Sequence, residues 1–287
     1  MNQFFKLNSF KKDISSQYGE DGIIEYLIST SLIPIHKSSI EFGGHDGISN
    51  SNTYNLWKNK EFDALLIEAD RSRFEVLKKN TNNFKNVKAL NTFIKIKGEN
   101  SVDEITNRKE FSNFKNLGLL SIDIDSFDYY IFKYLKIKPQ IIVIEFNNSI
   151  PGYIDYKDVE GELFLRCSAK ALQNLGFEKG YYTVACTVTN VILLRKDCFN
   201  KEYHPNQPVE YLLDYESLEH NNDNLYTIIH SQMVTTFPIF TKKINVIDRA
   251  YFRITRKLYS LFGLRKEKYI KPSNQTKKQL FESKLYK

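Results

Sequence analysis

Four short runs are apolar or nearly so at every position: Ser38–Phe42, Ala64–Glu68, Leu117–Asp123 and Gln140–Phe146. Strands that read this way are buried on both faces, as in a parallel sheet covered by helices. Between them the apolar positions recur at helical spacing. The pattern predicts helices over Asn50–Lys60, Arg71–Asn80, Ser101–Thr106, Phe127–Leu135 and Glu160–Leu175, with Gly176 as a C-terminal cap, and a further strand over Val87–Ile96. Ahead of them, Ile23, Ile24, Leu27 and Ile28 form one helical face, with Glu20 and Asp21 at its start and Pro34 beyond its end. Tyr181–Thr187 and Val191–Arg195 flank a T-V-T-N turn and read as an antiparallel hairpin. The predicted fold is α/β: a doubly wound, mostly parallel seven-stranded sheet closed by a C-terminal antiparallel hairpin. Ligands of such sheets sit outside the C-terminal ends of the strands.

The candidate chemistry gathers at those ends. The first strand runs into E-F-G-G-H-D-G, in which Glu41, Gly43 and Gly47 form Glu-x-Gly-x-x-x-Gly with Gly44 inside it. This is not the G-x-G-x-x-G that lets backbone approach a pyrophosphate. S-adenosylmethionine (SAM) carries no phosphate, so its loop has no anion to cradle, and the spacing points to it. Glu68 follows Gly47 by 21 residues and ends the second strand, where a carboxylate can accept both ribose hydroxyls. Asp123 and Asp125 bracket Ile124 after the fourth strand, and alternation aims both side chains the same way. Such a pair can act as general base, as ligands for Mg²⁺ or a related hard cation, or as a contact to the amino group of SAM. Glu145 and Asn147 end the fifth strand, where two readings stand: they hold a substrate hydroxyl, or they serve the turn ahead of Pro151. His45 reads as a wall of the loop.

Composition adds limits. No run approaches the roughly 20 apolar residues of a membrane span, and the N-terminus has no signal-peptide pattern. Cys167, Cys186 and Cys198 lack metal-ligand spacing and suit a reducing compartment, so a cytoplasmic location is expected. The net charge of +7 is uneven: residues 241–287 hold 14 Lys/Arg against 3 Asp/Glu, while the rest of the chain is mildly acidic. Within that tail, Val246–Phe262 reads as an amphipathic helix with Ile247, Tyr251, Ile254 and Leu258 on one face and Arg249, Arg253 and Arg256 on the other. Two destinations stand for it: packing on its own domain or a second copy, and peripheral contact with the anionic inner face of a membrane. Its aromatics lie away from the basic residues, which argues against nucleic acid.

The stretches S-Q-Y-G-E-D-G-I-I (16–24), E-F-G-G-H-D-G-I-S-N-S-N-T (41–53), L-L-I-E-A-D (65–70), L-L-S-I-D-I-D-S-F-D (119–128), V-I-E-F-N (143–147) and T-N-V-I-L-L-R-K (189–196) together resemble the FkbM-type SAM-dependent methyltransferases. The resemblance covers about residues 14–197. It implies a Rossmann-like class I methyltransferase fold, SAM as methyl donor and O-methylation, often of sugars in polysaccharides or glycosylated metabolites. By position it assigns Glu41, Gly43 and Gly47 to the methionine moiety and Glu68 to the ribose. Gln17, Gly19 and Glu20 fall in the segment that closes over the cofactor. Ser126 stands where the family often has glycine. The expected division is a methyltransferase domain over 1–200 with a lid segment over 1–36, an extension over 201–245, and the basic helix and tail over 246–287.

The leading expectation is therefore a sugar O-methyltransferase using Asp123, Asp125 and Glu145. Two alternatives stand beside it. One is a glycosyltransferase, in which Asp123 and Asp125 would hold a metal for a nucleotide sugar. The other is a scaffold tethered by the basic tail.

Overall fold

The structure, a computed structural model, describes residues 7–213 apart from 149, 151, 164, 203 and 205. The expected basic helix and most of the 201–245 extension lie outside the described residues. Seven strands form one sheet: β1 Ser38–Phe42, β2 Asp63–Glu68, β3 Val87–Asn91, β4 Leu119–Ile122, β5 Ile141–Glu145, β6 Tyr181–Cys186 and β7 Asn190–Arg195. Their order is β3-β2-β1-β4-β5-β7-β6. The first five pair in parallel, and β7 enters antiparallel to both β5 and β6. That order, reversing direction between β1 and β4 and closing with an inverted hairpin, is the Rossmann-like class I methyltransferase fold.

Helices cover both faces: α1 Glu20–Thr30, α2 Tyr54–Asn59, α3 Arg71–Thr81, α4 Val102–Asn107, α5 Asp128–Tyr134, α6 Ala169–Lys179 and α7 Val209–Leu212. Strand alternation divides the core. Ile40, Ile67, Leu120, Ile122, Ile142 and Ile144 pack with Val102, Ile105, Phe132 and Leu172 on one face. Leu119, Ile141, Val143 and Ile192 pack with Ile23, Ile24, Leu27 and Leu56 on the other, where Trp57, Ala64, Leu66 and Leu77 continue the layer. Each such aliphatic side chain contributes about 1.5–3 kcal/mol when fully buried. Cys167, Cys186 and Cys198 are free and buried. No helix among the described residues is long and apolar enough to cross a membrane.

The chief departure from the predicted elements lies before β6. The helix expected over Glu160–Leu175 begins only at Ala169, where the Ser168 side chain accepts from the Ala171 amide. A buried acid holds residues 160–167 out of the helix. Asp158 is 3% exposed, and its carboxylate accepts from the Leu165 and Arg166 amides and from the Tyr156 hydroxyl. Gly176 sits inside α6 because a side chain there would meet Leu193 at 3.0 Å, and Gly180, at φ +92°, caps the helix. The third strand is also shorter than expected, ending at Asn91, and α2 starts at Tyr54 rather than Asn50.

Candidate functional site

A cleft of about 420 Å³ opens at the C-terminal ends of the parallel strands. Its lining follows the sheet order. Phe93 and Ile94 come after β3, Glu68 ends β2, and Gly43 and His45 follow β1. Asp123 and Asp125 follow β4, Glu145 ends β5, and Thr189 and Asn190 begin β7. Gln17 of the N-terminal segment reaches the same cleft. The sequence-predicted Gln17, Gly43, Glu68, Asp123, Asp125 and Glu145 are thus brought together, while the rest of the expected set lies elsewhere.

Glu41 is 4% exposed and sits beneath the loop. Its carboxylate accepts from the hydroxyls of Ser51 and Thr53, both at 2.6 Å, and from the Asn52 amide at 2.8 Å. Burial raises its pKa against those bonds. It pins the turn between β1 and α2 and does not line the cleft, which corrects its assignment to the methionine moiety. Glu20, fully buried, accepts from the Tyr18 amide, Thr187 Oγ1 and Asn190 Nδ2, so it ties α1 to the β6–β7 turn. Gly19, Gly44 and Gly47 are likewise structural. A side chain on Gly19 would strike Lys11, and Gly44 and Gly47 pack on Leu66 and Leu77. Gly43 does border the cleft, at φ +72°, with its Cα facing the Asp123 carbonyl so closely that a Cβ would lie 1.9 Å from that oxygen. Asn147 donates to the Leu165 carbonyl, outside the cleft lining.

Five amides of the glycine loop are spoken for by the protein. Gly44 donates to the Ile67 carbonyl, His45 to Glu68 Oε2 and Gly47 to the Gly44 carbonyl. Ile48 and Ser49 both donate to Asp46 Oδ1. A phosphate-binding loop presents such N–H groups to its ligand; this one has turned them inward. Glu68 accepts from His45 at 2.9 Å and from Asp70 at 2.8 Å, one bond on each oxygen. Each oxygen keeps a second lone pair for a ligand.

At the centre, Asp123, Asp125 and Glu145 offer oxygens within 4.8 Å of one another. Asp123 is open to the cleft, yet the loss of water around it, with Asp128 and Asp125 adding repulsion, raises its pKa to about 7. Glu145 is raised well above its usual range by burial and by Asp123. Two residues that the sequence reading missed shape this cluster. Asp128, 1% exposed, accepts from the Ile124 and Ser126 amides. It thereby forms the turn itself, and the left-handed residue is Asp125, at φ +56°. Ser126 therefore needs no glycine-like conformation. Arg166, also left-handed at φ +63°, points its guanidinium at Asp125 (2.9 Å) and at Glu145. An arginine expected inside a helix carried no signal of this role; Asp158 eight residues earlier was the clue.

Three carboxylates would suit a hard cation. Here one nitrogen of Arg166 already bridges Asp125 and Glu145, in the place a metal would take. The residues as arranged do not fit the Mg²⁺ expected at Asp123 and Asp125. Removing the guanidinium is expected to leave Glu145 and Asp125 without their counter-charge. The Arg166→Ala variant should then show a rate–pH midpoint displaced upward in EDTA-containing buffer. Its rate at pH 7 should fall about fivefold for the first unit of that displacement and about tenfold for each further unit. An unmoved midpoint would mean that Arg166 does not tune the cluster.

No protein-family model matches the sequence, and no curated protein matches it. Some solved structures are similar to parts of it. TrmK from M. capricolum, in complex with S-adenosyl-homocysteine (SAH), is 12% identical over 83% of this chain and 95% of that chain, with a TM-score of 0.38. A SAM dependent methyltransferase from Aquifex aeolicus is 11% identical over 61% and 88%, at 0.36. The N-terminal domain of EvdMO1, in the presence of SAH and D-fucose, is 8% identical over 63% and 84%, at 0.41.

Proposed function

We propose that the protein is a SAM-dependent O-methyltransferase acting on a hydroxyl of a sugar, in a polysaccharide or glycoconjugate. The observation that carries this reading is the inward-turned glycine loop beside an acidic cleft. Five amides of the loop are committed to the protein, and four carboxyl groups, those of Glu68, Asp123, Asp125 and Glu145, outnumber Arg73 on the cleft lining, which disfavours a phosphate. Dinucleotides and nucleotide sugars are disfavoured on both counts, which also removes the basis for a metal-dependent glycosyltransferase. A cofactor bearing a sulfonium and an ammonium is favoured by the same charges. Glu68 would hold the ribose, the Phe93–Ile94 segment would border the base, and Gln17 would close from the N-terminal side.

SAM supplies a methyl group on an already activated leaving group. The protein has two tasks left: aligning the acceptor oxygen and removing its proton. Asp123 can do the second, since a base poised near neutral pH is both deprotonated and basic enough to act. Glu145 beside it holds the acceptor, and Arg166 opposes the burial that raises the pKa of that carboxyl group.

Titration calorimetry should show SAM binding by the purified protein. Glu68→Gln, which keeps the side-chain size, should weaken it roughly 10- to 100-fold, as expected for charge-assisted hydrogen bonds of about 1.5–3 kcal/mol. Absence of SAM binding by the unmodified chain would sink the reading.

A further inference from the structure

Asn190 lines the cleft at the start of β7, is 6% exposed, and has a side-chain oxygen to which no group among the described residues donates. Its amide nitrogen is committed, donating to Glu20 at 3.0 Å and to Thr189. Turning the amide over would set its oxygen against the Glu20 carboxylate, so the orientation is fixed. A buried acceptor without a donor costs about 1–3 kcal/mol. A cleft wall can sustain that cost where a ligand relieves it. Asn190 pairs directly opposite Glu145 across the β5–β7 ladder, and opposed residues of an antiparallel pair share a face. Both lie two strands or more from the Glu68 and Gly43 end of the cleft.

We propose that Asn190 and Glu145 form the orienting subsite for the acceptor, and that the acceptor is a vicinal diol. One hydroxyl meets Asp123 and is methylated; its neighbour donates to Asn190 Oδ1. An amide oxygen that cannot turn reads only a donor, so an acceptor whose neighbouring hydroxyl is absent or already capped is rejected. Discrimination of this kind is strong, because the rejected analogue leaves the buried acceptor unpaired. The proposal rests on the methyltransferase reading above.

The test uses the full chain, labelled SAM and a surface polysaccharide extract divided in two. One half is cleaved with periodate, which breaks the bond between carbons bearing adjacent hydroxyls, and then reduced. The unmodified protein should label the intact half about 100-fold more than the cleaved half. Asn190→Ala should bind SAH within about twofold of the unmodified chain. It should label the intact half about 100-fold less, with the ratio between halves falling toward one. A purely structural role would lower both halves together and leave the ratio unchanged, which would overturn the proposal. So would equal labelling of the two halves by the unmodified chain. A large loss of SAH affinity in Asn190→Ala would instead assign the residue to the cofactor. Binding of SAM with no label in either half would refute the carbohydrate acceptor itself, and the diol with it.

Discussion

Asp123→Asn should reduce methyl transfer by about 10²–10⁴-fold while leaving SAH affinity nearly unchanged. Asparagine keeps the shape and cannot take a proton. The unmodified protein should show a rate that rises with pH through about 7, since only the ionised carboxylate accepts. The variant should have lost that rise. Stability should run the other way. The folded pKa of Asp123 lies above its ordinary value, so its contribution is fully present below the unfolded value near 4 and is lost as pH climbs through about 7. Asp123→Asn should therefore melt higher than the parent at pH 8 and not at pH 4. Activity lost and high-pH stability gained in one substitution is a signature that a merely damaged core would not give. A variant with full activity would remove Asp123 from the chemistry.

Gly43→Ala is the largest structural prediction. The methyl group would lie 1.9 Å from the Asp123 carbonyl oxygen, backbone against backbone, and the residue sits at φ +72°. The left-handed conformation alone costs an alanine about 1–2 kcal/mol. Relieving the overlap means prying the end of β1 from the end of β4, for a total of about 3–5 kcal/mol. For a chain of this size that is a fall in melting temperature of about 10 °C. The strain also moves Asp123 from the cleft, so transfer should fall with it. Gly47→Ala makes a useful comparison. Its added Cβ meets nothing closer than 3.4 Å at φ +79°, so it incurs the conformational cost without the overlap. Equal losses in the two variants would show that the close approach at Gly43 is unimportant.

Most of the sheet was legible because four of its five parallel strands are apolar or nearly so along their length, while β3, V-K-A-L-N at the sheet edge, is not. The acids were legible because strand ends are where such sheets place ligands. Glu41 misled for a physical reason: its spacing beside a glycine turn cannot tell a carboxylate aimed at a ligand from one folded under the loop by Ser51 and Thr53. Arg166 was illegible because its position depends on Asp158 capturing two backbone amides, a contact between side chain and main chain that defeats helical periodicity. Asn190 looked like a turn residue. Only the ladder register, which puts it opposite Glu145, brings it to the cleft.

The three cysteines have a practical consequence. All are buried, and burial pushes every thiol upward, Cys198 to about 11. Thiolate is the reactive form, so the native protein offers alkylating dyes no ready target. A cysteine introduced at Ser49, on the lining of the cleft, would be the one site that labels quickly. A fluorophore there would report ligand entry against a dark background, without first stripping the protein of its own sulfur.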